Sequence, residues 1–229
     1  IGLCLVGSEM CIRDSIRSVN ALFHIVRCFE DSDIQHVENR IDPVADIQII
    51  NAELALSDLD ILEKNYQKLR KVQKTDEDKR KVQIIERAID LISNEKKLLG
   101  NFEKDEIEYL NTYQLISIKP VVYICNVDES SALSGNEFTK KIEDYAKDNN
   151  SEVLLISAKI ESEISQIVDE KDKQDFLGSM GLSETGLKRV IRKGYEILNY
   201  INYFTAGEKE LRAWTIVKGS LAPSAAGTI

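Results

Sequence analysis

Two short runs in the second half of the chain carry groups suited to gripping a purine ring. Asn126-Val127-Asp128-Glu129 follows the apolar run PVVYIC from Pro120 to Cys125, and Ser157-Ala158-Lys159 follows EVLLI. A primary amide both donates and accepts, so Asn126 can meet the N7 and exocyclic edge of a base, while backbone groups of the Ser157-Ala158 turn can contact the same ring. Either run alone is most often a turn or a helix cap. Together they fall just past the ends of successive strands, where open parallel sheets bind their ligands.

Other candidate groups carry less chemistry. His24 alternates with Phe23 and Ile25 inside an apolar run, and a lone histidine without an oriented partner is read as a core or sheet-face residue rather than a catalyst. Cys28 and Cys125 also lie in apolar runs, where a thiol acts as a small hydrophobe; no CxxC or Cys/His cluster points to a metal, and neither disulfide nor zinc is expected. Leu3 to Gly7 (LCLVG) invites reading as a strand entering a phosphate-binding loop, but SEMCIRDS follows. A loop of the form G-x-x-x-x-G-K-[ST] needs a lysine there to reach the phosphates.

The run LVGSEMCIRD from Leu5 to Asp14 resembles the translation of a transposon-end sequencing oligonucleotide. Residues 1–15 are therefore read as adapter-derived, which removes Cys4 and Cys11 from consideration, and the natural protein is expected to begin near Ser15 or Ile16.

The elements that would position the two runs follow from periodicity. ALFHIVRCF (Ala21 to Phe29), PVVYIC and EVLLIS (Glu152 to Ser157) are short buried strands, the last two separated by a helix from about Glu137 to Lys147. Strand, crossover helix and strand predict a parallel sheet. Asp42-Pro43 supplies an N-cap and a first-turn proline for a helix from about Val44. Leu62, Tyr66 and Leu69, then Val82, Ile85 and Ile89, recur at intervals of three and four around a Thr75–Asp78 capping box. They predict an antiparallel coiled-coil hairpin inserted in the sheet domain, an arm of roughly 30 Å if its first helix runs about twenty residues. A helix is expected over GLKRVIRKGYEILNYI from Gly186, then a strand of a separate unit at LRAWTIV (Leu211 to Val217).

The net charge of −9 argues against a whole-surface grip on nucleic acid and leaves only local basic patches. One is the arm tip, where Glu63 to Val82 holds eight Lys or Arg against four Asp or Glu; a second is Lys188, Arg189, Arg192 and Lys193. Both could equally be solvated helix faces. No apolar run is long enough to span a membrane, and a cytoplasmic location is expected.

RCFED from Arg27, HVENRIDPVADIQIINAELALSDLD from His36, NVDE at Asn126 and YFTAGEKELRAWTI from Tyr203 together resemble the YchF/Obg-like ATPases. The resemblance runs from about residue 16 to the end, with the arm diverging. It implies an α/β P-loop NTPase (G-domain) with an inserted coiled-coil arm, followed by a β-grasp TGS domain, that hydrolyses ATP or GTP with Mg²⁺ and binds the ribosome. On this basis the chain is divided into a partial P-loop domain (16–51 and 111–202), the arm (52–110) and a truncated TGS domain (203–229), and is read as a fragment. The catalytic and Mg²⁺-linked residues of the family would lie upstream of the segment matching Ile16, so no catalytic residue and no metal ligand is assigned, and the chain alone is expected to be inactive.

The base-binding residues are Asn126, Val127, Glu129, Ser157 and Ala158. Where an ordinary G-domain has N-K-x-D, Val127 replaces the lysine that packs over the ring and Glu129 replaces the aspartate that accepts from guanine. A displaced carboxylate mispairs the guanine edge, so relaxed or adenine-favouring recognition is expected, with contact through Asn126 and Val127. The alternative is a non-catalytic ribosome or RNA-interaction module working through the arm and the TGS domain.

Overall fold

The computed structural model describes residues 15–31, 41–72, 74–207 and 210–228. The expectation that residues 1–15 are foreign to the sheet falls, but for Ser15, outside the described residues.

β1 (Leu22–Arg27), β2 (Val121–Asn126) and β3 (Glu152–Ile156) form a parallel sheet in that order. Arg27 lies opposite Asn126, and Asn126 opposite Ile156, so the carboxyl ends of all three strands are level. Parallel neighbours need a crossover. From β2 to β3 this is α4 (Glu137–Asp148), whose Ile142 and Ala146 pack with Val26, Cys125 and Val127. From β1 to β2 the crossover is the arm.

The arm's first helix, α1 (Pro43–Val72), has 30 residues, or ~45 Å at 1.5 Å per residue. It is longer than its seam periodicity predicts because one helix serves two cores. Ile47, in its second turn, is fully buried in the sheet cluster, and Leu62 is fully buried in a separate arm cluster. α1 therefore runs unbroken through the 51/52 division. α2 (Asp76–Ser93) returns along it after a connection too short for anything but an antiparallel pair, its start fixed by a capping box in which the Asp78 amide donates to Thr75 Oγ1 and the Thr75 amide to the Asp78 carboxylate. Leu62 and Ile85 are buried in the seam, Tyr66, Leu69 and Ile89 pack partly buried against the cluster, and Val82 is buried outside it. Toward the root the hairpin thickens: Leu98, Leu110 of α3 (Lys104–Asn111), Leu115 and Ile118 of a 3₁₀ turn join the same cluster.

At that root lies a fully buried carboxylate. Asp58 accepts from Arg17 (2.8 Å), the Ser117 amide (2.7 Å) and the Ser117 hydroxyl (2.8 Å). Arg17 also donates to Ser57, and Lys119 to the carbonyls of Ile16, Arg17 and Val19.

Beyond β3 come α5 (Ala158–Gln166), α6 (Glu170–Ser179) and α7 (Gly186–Ile197). The Glu161 carboxylate accepts from the Gly186 and Leu187 amides, placing a negative charge at the start of α7. A Cβ at Gly186 would come within 2.9 Å of that carboxylate and 3.1 Å of Ile156, so only glycine lets α7 approach β3 so closely. The sequence reading carried this helix through Ile201, but it ends at Ile197. Asn199 takes a left-handed φ of 53°, which asparagine tolerates, and the chain turns into β4 (Tyr200–Ala206). β4 pairs antiparallel with β5 (Leu211–Val217), with α8 (Ala222–Ala226) following; the 202/203 division thus falls inside β4. Among the described residues, no helix is long and apolar enough to cross a membrane.

Removing the Asp58 carboxylate leaves Arg17 and the Ser117 amide without their acceptor. Asp58→Ala should cost about 3–5 kcal/mol in urea unfolding, while Asp60→Ala, exposed two residues on, should stay within about 0.5 kcal/mol. Equal losses in the two variants would refute the special role of Asp58.

Candidate functional site

The level strand ends place the two candidate runs, Asn126–Glu129 and Ser157–Lys159, side by side. Cys28 donates from its amide to the Asn126 carbonyl (2.8 Å) and Val127 to that of Ile156 (2.9 Å), so the ladder continues one residue past each strand. Asn136, the N-cap of α4, donates from Nδ2 to the Cys28 carbonyl (2.7 Å), tying β1 to the helix. Gly135 before it sits at φ 71°, and a Cβ there would collide with Thr139 Oγ1 at 2.4 Å. These two residues were not singled out from the sequence; their signal is the Gly-Asn pair directly ahead of an amphipathic helix.

Asn126 Oδ1 accepts from the Ala158 amide at 3.0 Å. This bond joins the two runs and fixes which way the side-chain amide faces, leaving Nδ2 without an acceptor among the described residues. The other assigned residues differ in what they offer. Val127 is 3% exposed and packs in the sheet core, so its side chain is turned from solvent and only its backbone can face a base. Ser157 is 4% exposed, and its Oγ caps α5 by accepting from the Ile160 amide. The Ala158 amide is committed to Asn126 and supplies position rather than a free donor. Glu129 reaches across to the next loop, where Lys159 Nζ lies 2.8 Å from its carboxylate; the hydrogen bond and charge of Glu129 raise the Lys159 pKa. Sequence reasoning quoted Lys159 within its motif and assigned it no role.

Asp128 closes the turn between them, accepting from the Ser131 amide at 2.9 Å. Its carboxyl is held below the ordinary aspartate value by hydrogen bonds, that of the Ser131 side chain foremost.

A free Nδ2 is a donor suited to purine N7, an acceptor that adenine and guanine share. Discrimination falls to the other edge. Guanine's N1–H and amino group need an acceptor, and the Glu129 carboxylate is already engaged by an ammonium. For Mg²⁺ the fit is poor: among the described residues no cluster of three or more His, Cys, Asp or Glu could hold a metal ion.

His24 lies on the face of the sheet toward Tyr123, ring centroids 5.8 Å apart, with its pKa lowered by burial. Cys28 and Cys125 are buried free thiols. The basic cluster on α7 is largely spoken for: Arg192 pairs with Glu184, Lys193 with Glu152 and Glu196, and Arg189 donates to the Leu155 carbonyl. At the arm tip Lys79, Arg80 and Lys81 pair with Asp76, Asp105 and Glu77.

The family model YchF-GTPase_C, described as a protein of unknown function (DUF933), matches residues 200–229. The chain is 43% identical over 218 residues to the ribosome-binding ATPase YchF of Haemophilus ducreyi, covering 94% of this chain and 60% of that protein. With the protein of the same name from Bacillus subtilis it shares 40% over 220 residues, covering 93% and 60%. The structure of the Schizosaccharomyces pombe YchF GTPase superposes with a TM-score of 0.84 at 31% identity, over 94% of this chain and 60% of that one. Over 94% of its length the chain is similar to YchF proteins in sequence and in fold. It spans about 60% of the length of these YchF relatives. Their names differ in nucleotide, ATPase for the bacterial proteins and GTPase for the yeast one.

The Asp128–Ser131 contact has a pH signature. A carboxyl with a lowered folded-state pKa holds its contact above the unfolded value and loses it as pH falls through the folded one. The Ser131 amide resonance should therefore titrate with a midpoint below the ordinary 3.8 of aspartate, and Asp128→Asn should abolish that titration. A midpoint at or above 3.8 would remove Asp128 from the loop's construction.

Proposed function

We propose that this chain carries the base-recognising part of a ribosome-associated nucleotide hydrolase that prefers ATP and tolerates GTP. The observation that carries the reading is the bond from the Ala158 amide to Asn126 Oδ1. It ties two loops at level strand ends and directs Nδ2 outward as a donor for purine N7. For adenine's amino group either the Asn126 side-chain carbonyl or a backbone carbonyl would suffice as acceptor; with the former engaged by Ala158, the backbone carbonyl is left for N6. The names of the relatives support a ribosomal partner and, with it, a cytoplasmic location.

The sequence contains no G-x-x-x-x-G-K-[ST] run, and in P-loop enzymes the phosphate cradle and its metal supply transition-state stabilisation. The 229-residue chain should therefore bind ATP in the millimolar range, a weakness expected of base contacts alone, and hydrolyse none. Mg²⁺ would accompany the nucleotide and neutralise its phosphates.

RNA contact, if the arm supplies it, falls to one face of α1. Lys64, Lys68 and Lys71 are exposed and spaced along one side of the helix, with no carboxylate partner among the described residues. Phosphate contacts of this kind weaken steeply with salt.

Two measurements test the proposal. In NMR titrations, ATP should shift the Asn126, Val127 and Ala158 amides, and Asn126→Ala should weaken ATP binding about tenfold, the loss of one buried polar contact. Amides unmoved at millimolar ATP, or binding of GTP alone, would sink the base-site reading. In filter binding to ribosomal RNA, the triple change of Lys64, Lys68 and Lys71 to Glu should lower affinity and flatten the salt dependence; an unchanged salt slope would move RNA contact off the arm.

A further inference from the structure

We propose that Lys159 is a specificity-determining residue: by holding the Glu129 carboxylate at 2.8 Å, it withholds from a bound purine the acceptor that guanine requires. The inference rests on the base-site reading above. Glu129 stands in the turn after β2, and Lys159 in the first turn of α5 after β3. Their loops are already joined at the base by the Asn126–Ala158 bond, so the ion pair is a second tie on the same frame.

Chemistry gives the pair its consequence. Guanine presents two donors, N1–H and its amino group, which the two oxygens of a free carboxylate match. Adenine presents an acceptor at N1 and no donor at C2, so a free carboxylate there repels its lone pair. An ammonium on Glu129 weakens the first interaction and relieves the second. Glu163 also acts electrostatically on Lys159, but the direct bond goes to Glu129.

Burial makes the arrangement adjustable. The two side chains are 67% and 39% exposed, so packing does not fix the carboxylate. Exposed pairs of this kind are weak, which sets the size of the effect at about two- to fivefold in relative affinity.

Lys159 acts through Glu129, so the test reads a ratio rather than an activity. Dissociation constants for ADP and GDP are measured on the full chain by NMR titration. Lys159→Met should raise affinity for GDP relative to ADP by about two- to fivefold; Lys159→Arg, which keeps the ion pair, should retain the original ratio. Adding Glu129→Gln to Lys159→Met should cancel the gain, because the amide keeps only one uncharged acceptor and turns a donor toward guanine's second donor. If the unaltered protein binds ADP and Lys159→Met leaves the ratio unchanged, the lock is refuted and the base site stands. If the unaltered protein binds neither nucleotide, the base site falls and the lock falls with it.

Discussion

A carboxylate enclosed in a protein interior is tolerable only when its charge and lone pairs are matched, and Asp58 is fully enclosed midway along α1. Its partners come from two other places in the chain: Arg17, five residues before β1, and Ser117, four residues before β2. One side chain therefore sets where both strands enter the sheet. With these entry points fixed and β1 and β2 equal in length, parallel pairing makes their exits level, and the separate β2–β3 register, with Asn126 opposite Ile156, brings Asn126 beside Ala158. Lys119 reinforces the arrangement by gathering the carbonyls of Ile16, Arg17 and Val19. Apolar packing alone could slide by a rotamer or a half turn; a carboxylate held by three donors at 2.7–2.8 Å cannot without losing all of its bonds.

The same helix that carries Asp58 joins two cores. Ile47 packs with Val26 and Cys125 behind the sheet, and Leu62 packs with Ile85 and Leu110 in the arm. No hinge residue separates them: α1 contains no glycine, and its single proline is its first residue. The arm is thus set in a fixed direction by the sheet that carries the Asn126 and Ala158 loops. Bending it would break helix hydrogen bonds or expose one of the clusters.

Periodicity made much of this legible in the sequence. A three-four repeat reports a seam whatever lies at its ends, so Leu62 and Ile85 were identifiable, and branched apolar runs marked the three parallel strands. The residues proposed to read a base were picked out by type, because an amide after a strand has distinctive hydrogen-bonding capacity. Their orientation was not legible. Val127 and Asn126 are adjacent, yet one side chain enters the core and the other faces the loops, and only the continued ladder to Ile156 decides which. Pairings between distant positions escaped for the same reason: Lys193 with Glu152 and Arg80 with Asp105 are neighbours in space but not in sequence. The end of α7 was missed because NYI continues a helical pattern, while the stop is a left-handed Asn199 that composition does not announce.

Electrostatics then gives the molecule a polarity that net charge conceals. At −9 overall it repels polyanions as a whole. Its cations are distributed unevenly between bound and available states. Those of α7 are held by Glu184, Glu152 and Glu196, and those on the α2 side of the arm by Asp76, Glu77 and Asp105. A cation facing its own carboxylate adds little to the field a few ångströms away, because the pair is nearly neutral at that distance and solvent screens the remainder. Lys64, Lys68 and Lys71 on α1 lack such neutralisation among the described residues, and Arg70, held over the Tyr66 ring at 5.9 Å, keeps its full charge beside them. The two helices of one thin hairpin thus present different potentials, and a phosphate chain approaching the arm is favoured on the α1 side, along the helix that Asp58 anchors to the sheet.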